Sequence, residues 1–333
     1  MTEMNPEPTH ERLLRLERIT HTRMKALDPK RTFVLATMSP LEVHGPHLPL
    51  GQDVFEARAM AEHAALAVLE KRPDWTVLLV PPLHVAADTL PMLGSVEFSP
   101  HLVERVAFAL LEPFAKAGFA RMGYSSFHGG PRHFLALELA GERLARKYGV
   151  AVVSMFSMLL ARVKEGQVFL DAVADVPGRQ AELRHMVRDQ HAGYVETSMA
   201  LHLYGSLVEN GWQTLPGATP REEPGEGEND SFLFSGEVGG GIAARLRRVR
   251  GTATLLVRAV KFFRANSYYG YPAFASEEEG RRIFEHLVAL TADAAGDFID
   301  RGMDAGVHSP LWAYRRILLN RPLNAVADAL MAK

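Results

Sequence analysis

Glu42, His44, His47 and Asp53 lie within twelve residues of one another in the segment Met38 to Asp53, which reads MSPLEVHGPHLPLGQD. Two carboxylates and two imidazoles offer hard oxygen and borderline nitrogen donors, a set that suits Zn, Mn or Fe(II). Glu42 and His44 are two apart, so extended backbone points both to one side. Gly45, Pro46, Pro49 and Gly51 then make a stiff loop able to return Asp53 beside them. A second reading of the same residues is a polar loop in which Asp53 caps the next helix. Two further clusters stand out. His128 precedes Gly129 and Gly130 in YSSFHGGPRH, where the glycines let backbone approach an ion or ligand closely. His191 and Glu196 sit five apart in HAGYVETS, with the carboxylate in a predicted first helical turn, where the helix dipole keeps it ionised. The competing readings are a satisfied loop histidine for His128 and helix capping for Glu196, Thr197 and Ser198. The chain has no Cys, so thiolate chemistry is excluded and any metal must be held by His and carboxylates.

These clusters need elements to position them. Short β-branched apolar runs alternate with helical patterns over the first 156 residues. Strands are expected over Thr32 to Met38, Thr76 to Val80 (stopped by Pro81 and Pro82), Phe119 to Ser125 and Ala151 to Phe156. Helices are expected over Val54 to Lys71, Pro100 to Ala117 and Arg132 to Lys147, the last ended by Gly149. This βαβαβαβ rhythm predicts an α/β fold built on a doubly wound open sheet, in which ligands collect beyond the carboxyl ends of the strands. The first two clusters follow predicted strands, where ligands would collect. Farther on, Tyr194 to Leu207 reads as a helix, and Ser276 to Asp300 as a long amphipathic helix with Ser276 as N-cap and Glu279 completing a capping box. Pro216 to Asp230 has too little apolar content to pack, so a single domain over residues 1–333 with an exposed loop insertion near 213–240 is expected. Thr252 to Val260 suits a strand pair as well as a helix.

Composition closes off several classes. The 333 residues carry 37 Lys+Arg against 39 Asp+Glu, a net charge of −2, with 47% hydrophobic and 23% charged residues. Neither a disordered chain nor a strongly basic nucleic-acid binder fits those figures. No apolar run reaches 18 residues, so no membrane helix is expected. The first 18 residues hold four Glu and no apolar core of a secretory signal, so a cytoplasmic location is expected. Gly236 to Gly241 (GEVGGG) is neither a P-loop nor a dinucleotide fingerprint. His-Glu-x-x-His and Gly-x-Ser-x-Gly are absent, which leaves the standard protease chemistries unsupported. Arg245, Arg247, Arg248 and Arg250 could serve an anion, a solvated edge or a subunit contact.

Taken together, the clusters resemble the creatininase (creatinine amidohydrolase) family. Its pattern E-x-H-G-P-H-L-P-L-G-x-D is matched by Glu42 to Asp53, its His-Gly-Gly turn by His128 to Gly130, and H-A-G-x-x-E-T-S by His191 to Ser198. A late G-x-P-x-x-A-S-x-x-x-G pattern is matched by Gly270 to Gly280. The resemblance implies a three-layer α/β/α fold with a mostly parallel central sheet and a hydrolase using two divalent metal ions per chain, Zn first, with Mn or Fe as alternatives. Carried over by residue, Glu42, Asp53 and His128 would hold one ion; His44, Asp53 and Glu196 would hold the other. His191 matches the catalytic histidine and is expected to titrate near neutrality and to give the leaving amine its proton. In the creatinine-hydrolysing member an extra carboxylate stands two residues after the second-motif His; here that position is Gly130, and Glu196 is the substitute. Ser126, Phe127 and Pro131 replace family residues around His128. That member also covers its substrate with tryptophans before the catalytic His, whereas this chain has Trp75, Trp212 and Trp312 and none from 76 to 211. The implied activity is metal-bridged hydroxide attack on an amide, lactam or formamide C–N bond of a small molecule, with creatinine disfavoured. A peptidase-like member trimming a peptide-derived substrate and an inactive metal- or ligand-binding relative are the alternatives. The implied partners are a small-molecule amide and further copies of the chain, as a hexamer, with no nucleic acid and no membrane.

Overall fold

A computed structural model describes residues 9–162, 171–176, 189–218, 262 and 265–325. Most of the expected 213–240 insertion, the Thr252 to Val260 stretch and the Arg245 to Arg250 cluster therefore lie outside the described residues. Five strands form one parallel sheet: β1 (Leu13–Arg15), β2 (Thr32–Met38), β3 (Thr76–Leu83), β4 (Arg121–Ser125) and β5 (Ala151–Ser154), in the order β1-β3-β2-β4-β5. The main helices are α1 (Gln52–Lys71), α2 (Pro100–Lys116), α3 (Pro131–Tyr148), α4 (Met155–Arg162), α5 (Tyr194–Tyr204) and α6 (Glu277–Arg301).

Every residue of β2 is buried, because helices cover both faces of the sheet and leave no side for water. Alternation sorts its side chains. Phe33 and Leu35, with Val77 and Leu79, pack against Ala61 and Val68 of α1 and Phe298 of α6. Val34 and Ala36, with Leu78 and Val80, pack against Val103 and Leu111 of α2 and Leu137 and Leu144 of α3. This is the three-layer α/β/α arrangement. A third apolar group joins α5 and α6 to the underside of the sheet's carboxyl end, through Met199, Ile283, Phe284 and Leu287 against Ala57, Met60 and Phe127.

The boundaries follow local chemistry. Helix α2 begins with Pro at its first turn, and Ser99 accepts a hydrogen bond from the Leu102 N–H at 3.4 Å. Helix α6 starts after Ser276, which accepts from Glu279 N–H at 3.3 Å and donates to Glu279 Oε2 at 2.7 Å, so the cap is reciprocal. Two expectations need correction. Strand β3 does not stop at Pro81 but runs to Leu83. Its partner β1 reaches only Val77 to Leu79, so the prolines lie where that side of β3 has no neighbour, and the register on the other side shifts between Ala36 and Met38. The run Ala151 to Phe156 is a strand only to Ser154, after which Met155 opens α4. Strand β1 is an addition: three residues near the amino end, anchored by the buried Arg15–Glu62 ion pair at 3.1 Å to α1.

Connectivity fixes where the loops meet. From β2 the chain crosses to β3 on one side, then returns past β2 to β4 and on to β5. The reversal lies at the carboxyl ends of β2 and β4, the crevice in which doubly wound sheets bind ligands. Thr37 is in register with Ser125, and Met38 with Leu83. Three loops therefore leave the sheet side by side.

Candidate metal centre

The loop after β2 carries Glu42 and His44 and doubles back on itself. Glu42 N–H donates to the Leu50 carbonyl at 2.9 Å, and Leu48 N–H to the His44 carbonyl at 3.3 Å. The doubling brings Asp53 back as a first-turn residue of α1; the cap position is Gly51, so Asp53 is not the helix cap. The loop after β4 carries His128. Gly130 has to be glycine there: a Cβ would stand 2.5 Å from His128 Nε2 and 2.9 Å from the Ala87 carbonyl. No carboxylate side chain fits at that position. Pro131 begins α3, while Ser126 Oγ lies 3.0 Å from Ser39 Oγ and 3.2 Å from His133 Nε2, so both residues brace the turn. The loop between β3 and α2 forms the third wall. Its Leu90 N–H donates to Glu42 Oε1 at 2.7 Å, and its Ala87 carbonyl accepts from His128 Nε2 at 3.0 Å.

His191 and Glu196 arrive from the far side of the chain. His191 and Tyr269 exchange backbone hydrogen bonds at 3.1 and 2.7 Å. Asp189 accepts from Tyr194, Val195 and Tyr271 N–H at 2.6, 2.9 and 3.1 Å, which ties the entrance of α5 to the strand-like segment before α6. Burial pushes the Asp189 carboxyl up to about 6 despite those three donors.

The six residues that the family resemblance assigns to the centre meet at one point, while His47 belongs to none of the donor groups. The donor atoms of Glu42, Asp53 and His128 lie within 4.8 Å of one another, and so do those of His44, Asp53 and Glu196. Asp53 belongs to both groups, through Oδ1 at 3.4 Å from His44 Nε2 and Oδ2 at 3.6 Å from His128 Nδ1. His128 Nδ1 stands 3.1 Å from Glu42 Oε2, and His44 Nε2 stands 3.8 Å from Glu196 Oε2. Glu42, His44, Asp53 and His128 are buried, while Glu196 and His191 are partly exposed, so the cluster opens to solvent on their side.

The unused atoms are the ones a metal would take. Glu42 Oε2, His44 Nε2 and Asp53 Oδ2 are buried with no hydrogen-bond partner among the described residues. Leaving such atoms unsatisfied costs about 1–3 kcal/mol each. The opposite ring nitrogens are all committed: His44 Nδ1 donates to the Glu42 carbonyl at 3.1 Å, and His128 Nε2 to Ala87. A backbone carbonyl on one nitrogen fixes the tautomer and turns the other lone pair toward the cluster, as in established metal sites. The donor set and its arrangement fit divalent metal.

Electrostatics tell the same story in protons. Burial would raise the Glu42 carboxyl, but His128, His191 and His44 hold it well below the usual range. Burial would lower His44, yet Asp53, Glu196 and Glu42 push it well above 6.5; His128 is likewise raised, to about 10, chiefly by Glu42 and Asp53 against its burial. Asp53 is raised by burial in spite of His44, and Glu196 goes to about 7 for the same reason. Without cations, imidazolium charge offsets the carboxylates. His191 behaves differently. Burial and the neighbouring His44 push it down to about 3, so it does not titrate near neutrality as expected from its residue type. Its ring lies against that of His44, tilted by 34° with centroids 4.1 Å apart, and Nε2 donates to the Val43 carbonyl at 2.9 Å.

The creatininase family model, described as creatinine amidohydrolase, matches residues 17–295. The chain belongs to the creatininase family. A creatininase structure has 17% identity and a TM-score of 0.57, with 86% of this chain and 98% of that chain covered. A candidate creatinine amidohydrolase from Bacteroides fragilis NCTC 9343 gives 17% identity and a TM-score of 0.57 over 88% of this chain and 99% of that one. A manganese form of creatininase gives 17% and 0.56, covering 85% and 96%. At these identities the structural likeness establishes the fold. A comparison with curated proteins by sequence finds no match. Family and fold together support a metal-dependent amidohydrolase.

Three further residues support the site: His47 stands out in the sequence beside Glu42 and His44, while Gln52 and Glu56 do not. His47 Nε2 lies 2.8 Å from Thr197 Oγ1, linking the first loop to α5. Gln52 Nε2 donates to Glu56 Oε1 at 2.8 Å and to the Glu196 carbonyl at 3.3 Å. Glu56 is wholly buried, and burial together with Glu196 and Asp53 holds its carboxyl well above the ordinary range. The available signal was spacing: Glu56 follows Asp53 by three, one helical turn along the same face.

Proposed function

We propose that this protein is a two-metal amidohydrolase that cleaves a C–N bond of a small amide, lactam or formamide. The observation that carries the reading is the pair of three-residue donor groups sharing Asp53. Glu42, Asp53 and His128 would hold one cation and His44, Asp53 and Glu196 the other. A divalent pair supplies a polarised carbonyl and water of lowered pKa. Zn and Mn both suit this donor set, and creatininase structures of a manganese form and of a Zn-Zn type are among the structural relatives. One relative is a creatininase variant complexed with creatine, a small C–N product.

His191 completes the chemistry. With its pKa near 3 it is neutral at pH 7, so it enters the reaction as a proton acceptor and becomes the donor only afterwards. The Val43 carbonyl holds its Nε2–H, and the His44 ring fixes its plane, so proton transfer proceeds from one orientation. The proton taken up when water adds to the carbonyl passes to the departing nitrogen, which leaves as a neutral amine. His191 and Glu196 stand on the solvent-facing side, where a substrate enters.

The substrate is unlike creatinine in what must cover it, since Trp75 is buried in the core and no tryptophan lies between residues 76 and 211. The test is metal analysis followed by a screen. Wild-type protein retains close to two equivalents of Zn or Mn, Asp53→Ala loses both, and amine release is then measured on cyclic amides and formamides beside creatinine. Asp53→Ala protein that keeps its metal would overturn the assignment.

A further inference from the structure

Glu56 has no place in either donor group, yet it is among the least accessible charged side chains of the protein, at 0% exposure. It stands on α1 one turn beyond Asp53. Oε1 accepts from Gln52, and Oε2 has no hydrogen-bond partner among the described residues. The charges that act on it are Glu196 and Asp53, both carboxylates, then His44, and the Gln52 amide is bonded to it. From α5, Tyr204 shares this environment: its hydroxyl also lacks a hydrogen-bond partner, and Glu56, Glu196 and Asp53 all act on it. No Lys or Arg pairs with Glu56 among the described residues. A buried carboxylate in such surroundings is costly unless positive charge is supplied from elsewhere. Gln52, which bonds both Glu56 and the Glu196 carbonyl, sets it beside the His44–Asp53–Glu196 donor group.

We propose that Glu56 is a positioning residue of the metal centre, a fourth carboxylate that holds no ion itself but strengthens the grip of the His44–Asp53–Glu196 group on a divalent cation. The coupling is reciprocal: whatever the cation contributes to Glu56's buried charge, Glu56 contributes to the cation's affinity. Gln52 gives the interaction its geometry, since one amide nitrogen ties Glu56 to the backbone of Glu196. The effect falls on that end of the centre, because Gln52 links Glu56 to Glu196 and not to Glu42 or His128. This inference rests on the two-metal reading above.

The test compares wild type with Glu56→Gln, which keeps an oxygen for Gln52 and removes the charge. Each protein is loaded with ZnCl2 or MnCl2 alone, dialysed against graded chelator and analysed for bound metal, and its Tm is recorded with and without the ion. Expected for Glu56→Gln is loss of one ion at chelator levels where wild type holds two, a weakening of about 10–100-fold, the range for outer groups of metal sites. The metal-free Tm is not lowered, and the metal-induced rise is smaller. Glu56→Met must show the same loss and Glu56→Asp must restore the second ion. Parallel metal loss in wild type and Glu56→Gln overturns the proposal, as does a defect confined to Glu56→Met, which would mark a packing role. Wild-type protein that binds no divalent ion would instead overturn the two-metal reading itself.

Discussion

His191 shows how far a side chain's surroundings can move it from the chemistry of its type. A histidine at the edge of a polar cluster is expected to titrate near neutrality; this one, partly enclosed beside His44, is pushed down to about 3. Replacing it with Ala is expected to lower kcat about 10²–10⁴-fold, the usual share of a general acid–base group, while metal content by atomic emission stays at the wild-type level. Metal loss in that variant would make His191 a ligand, a role its nearness to Glu42 and His44 permits. At this scale the residue types are legible: Glu42, His44, Asp53, His128 and Glu196 stand out by type, the family resemblance groups them, and they meet in space. What spacing did not convey was environment. Glu56 reads in sequence as one more helical glutamate, which would ordinarily face water, and only the packing of α1 against α5 encloses it.

Helices and strands were legible wherever a run was long and regular. The αβ alternation, the Ser276 capping box and the placement of Glu196 in a first helical turn all follow from periodicity and caps, which depend on near neighbours alone. Strand β1 escaped because three residues carry no period, and the end of β3 was misplaced because proline's missing N–H matters only where a neighbouring strand would accept it. The late glycine motif was visible as a pattern without a reason. The structure supplies one at Gly280: a Cβ there would sit 1.8 Å from the Ser198 carbonyl, so α6 lies backbone-to-backbone on the helix that bears Glu196. Gly280→Ala is expected to cost about 1–3 kcal/mol by urea unfolding, as overpacking does. It should also reduce bound metal, because α5 must shift; unchanged stability would mean the two helices separate freely.

Across the whole molecule, the protonation of the centre sets how stability depends on pH. His128 is raised to about 10 from 6.5, so in metal-free protein its contribution is complete below pH 6.5 and is lost as pH rises through about 10. Glu196 is raised to about 7 from 4.5, so its burial penalises folding increasingly as pH climbs between those values. The metal-free Tm should therefore draw less from both groups at pH 9 than at pH 5.5. Cations compete with the same protons, so the rise in Tm caused by ZnCl2 should grow over that interval. Melts in chelator and in ZnCl2 across the range check this, and a rise that is flat with pH would count against protons and metal sharing the site. None of the described helices is long and apolar enough to cross a membrane. The sheet order has a last consequence. Glu42, Asp53 and His128 are all contributed before residue 130, whereas their counterparts at the other position wait for Glu196. During synthesis one half of the centre is complete some seventy residues before the other, roughly 3–14 s at ordinary elongation rates. On the two-ion reading proposed above, the Glu42–Asp53–His128 position would be ready first, and loading of the other would report that the segment bearing Glu196 has docked.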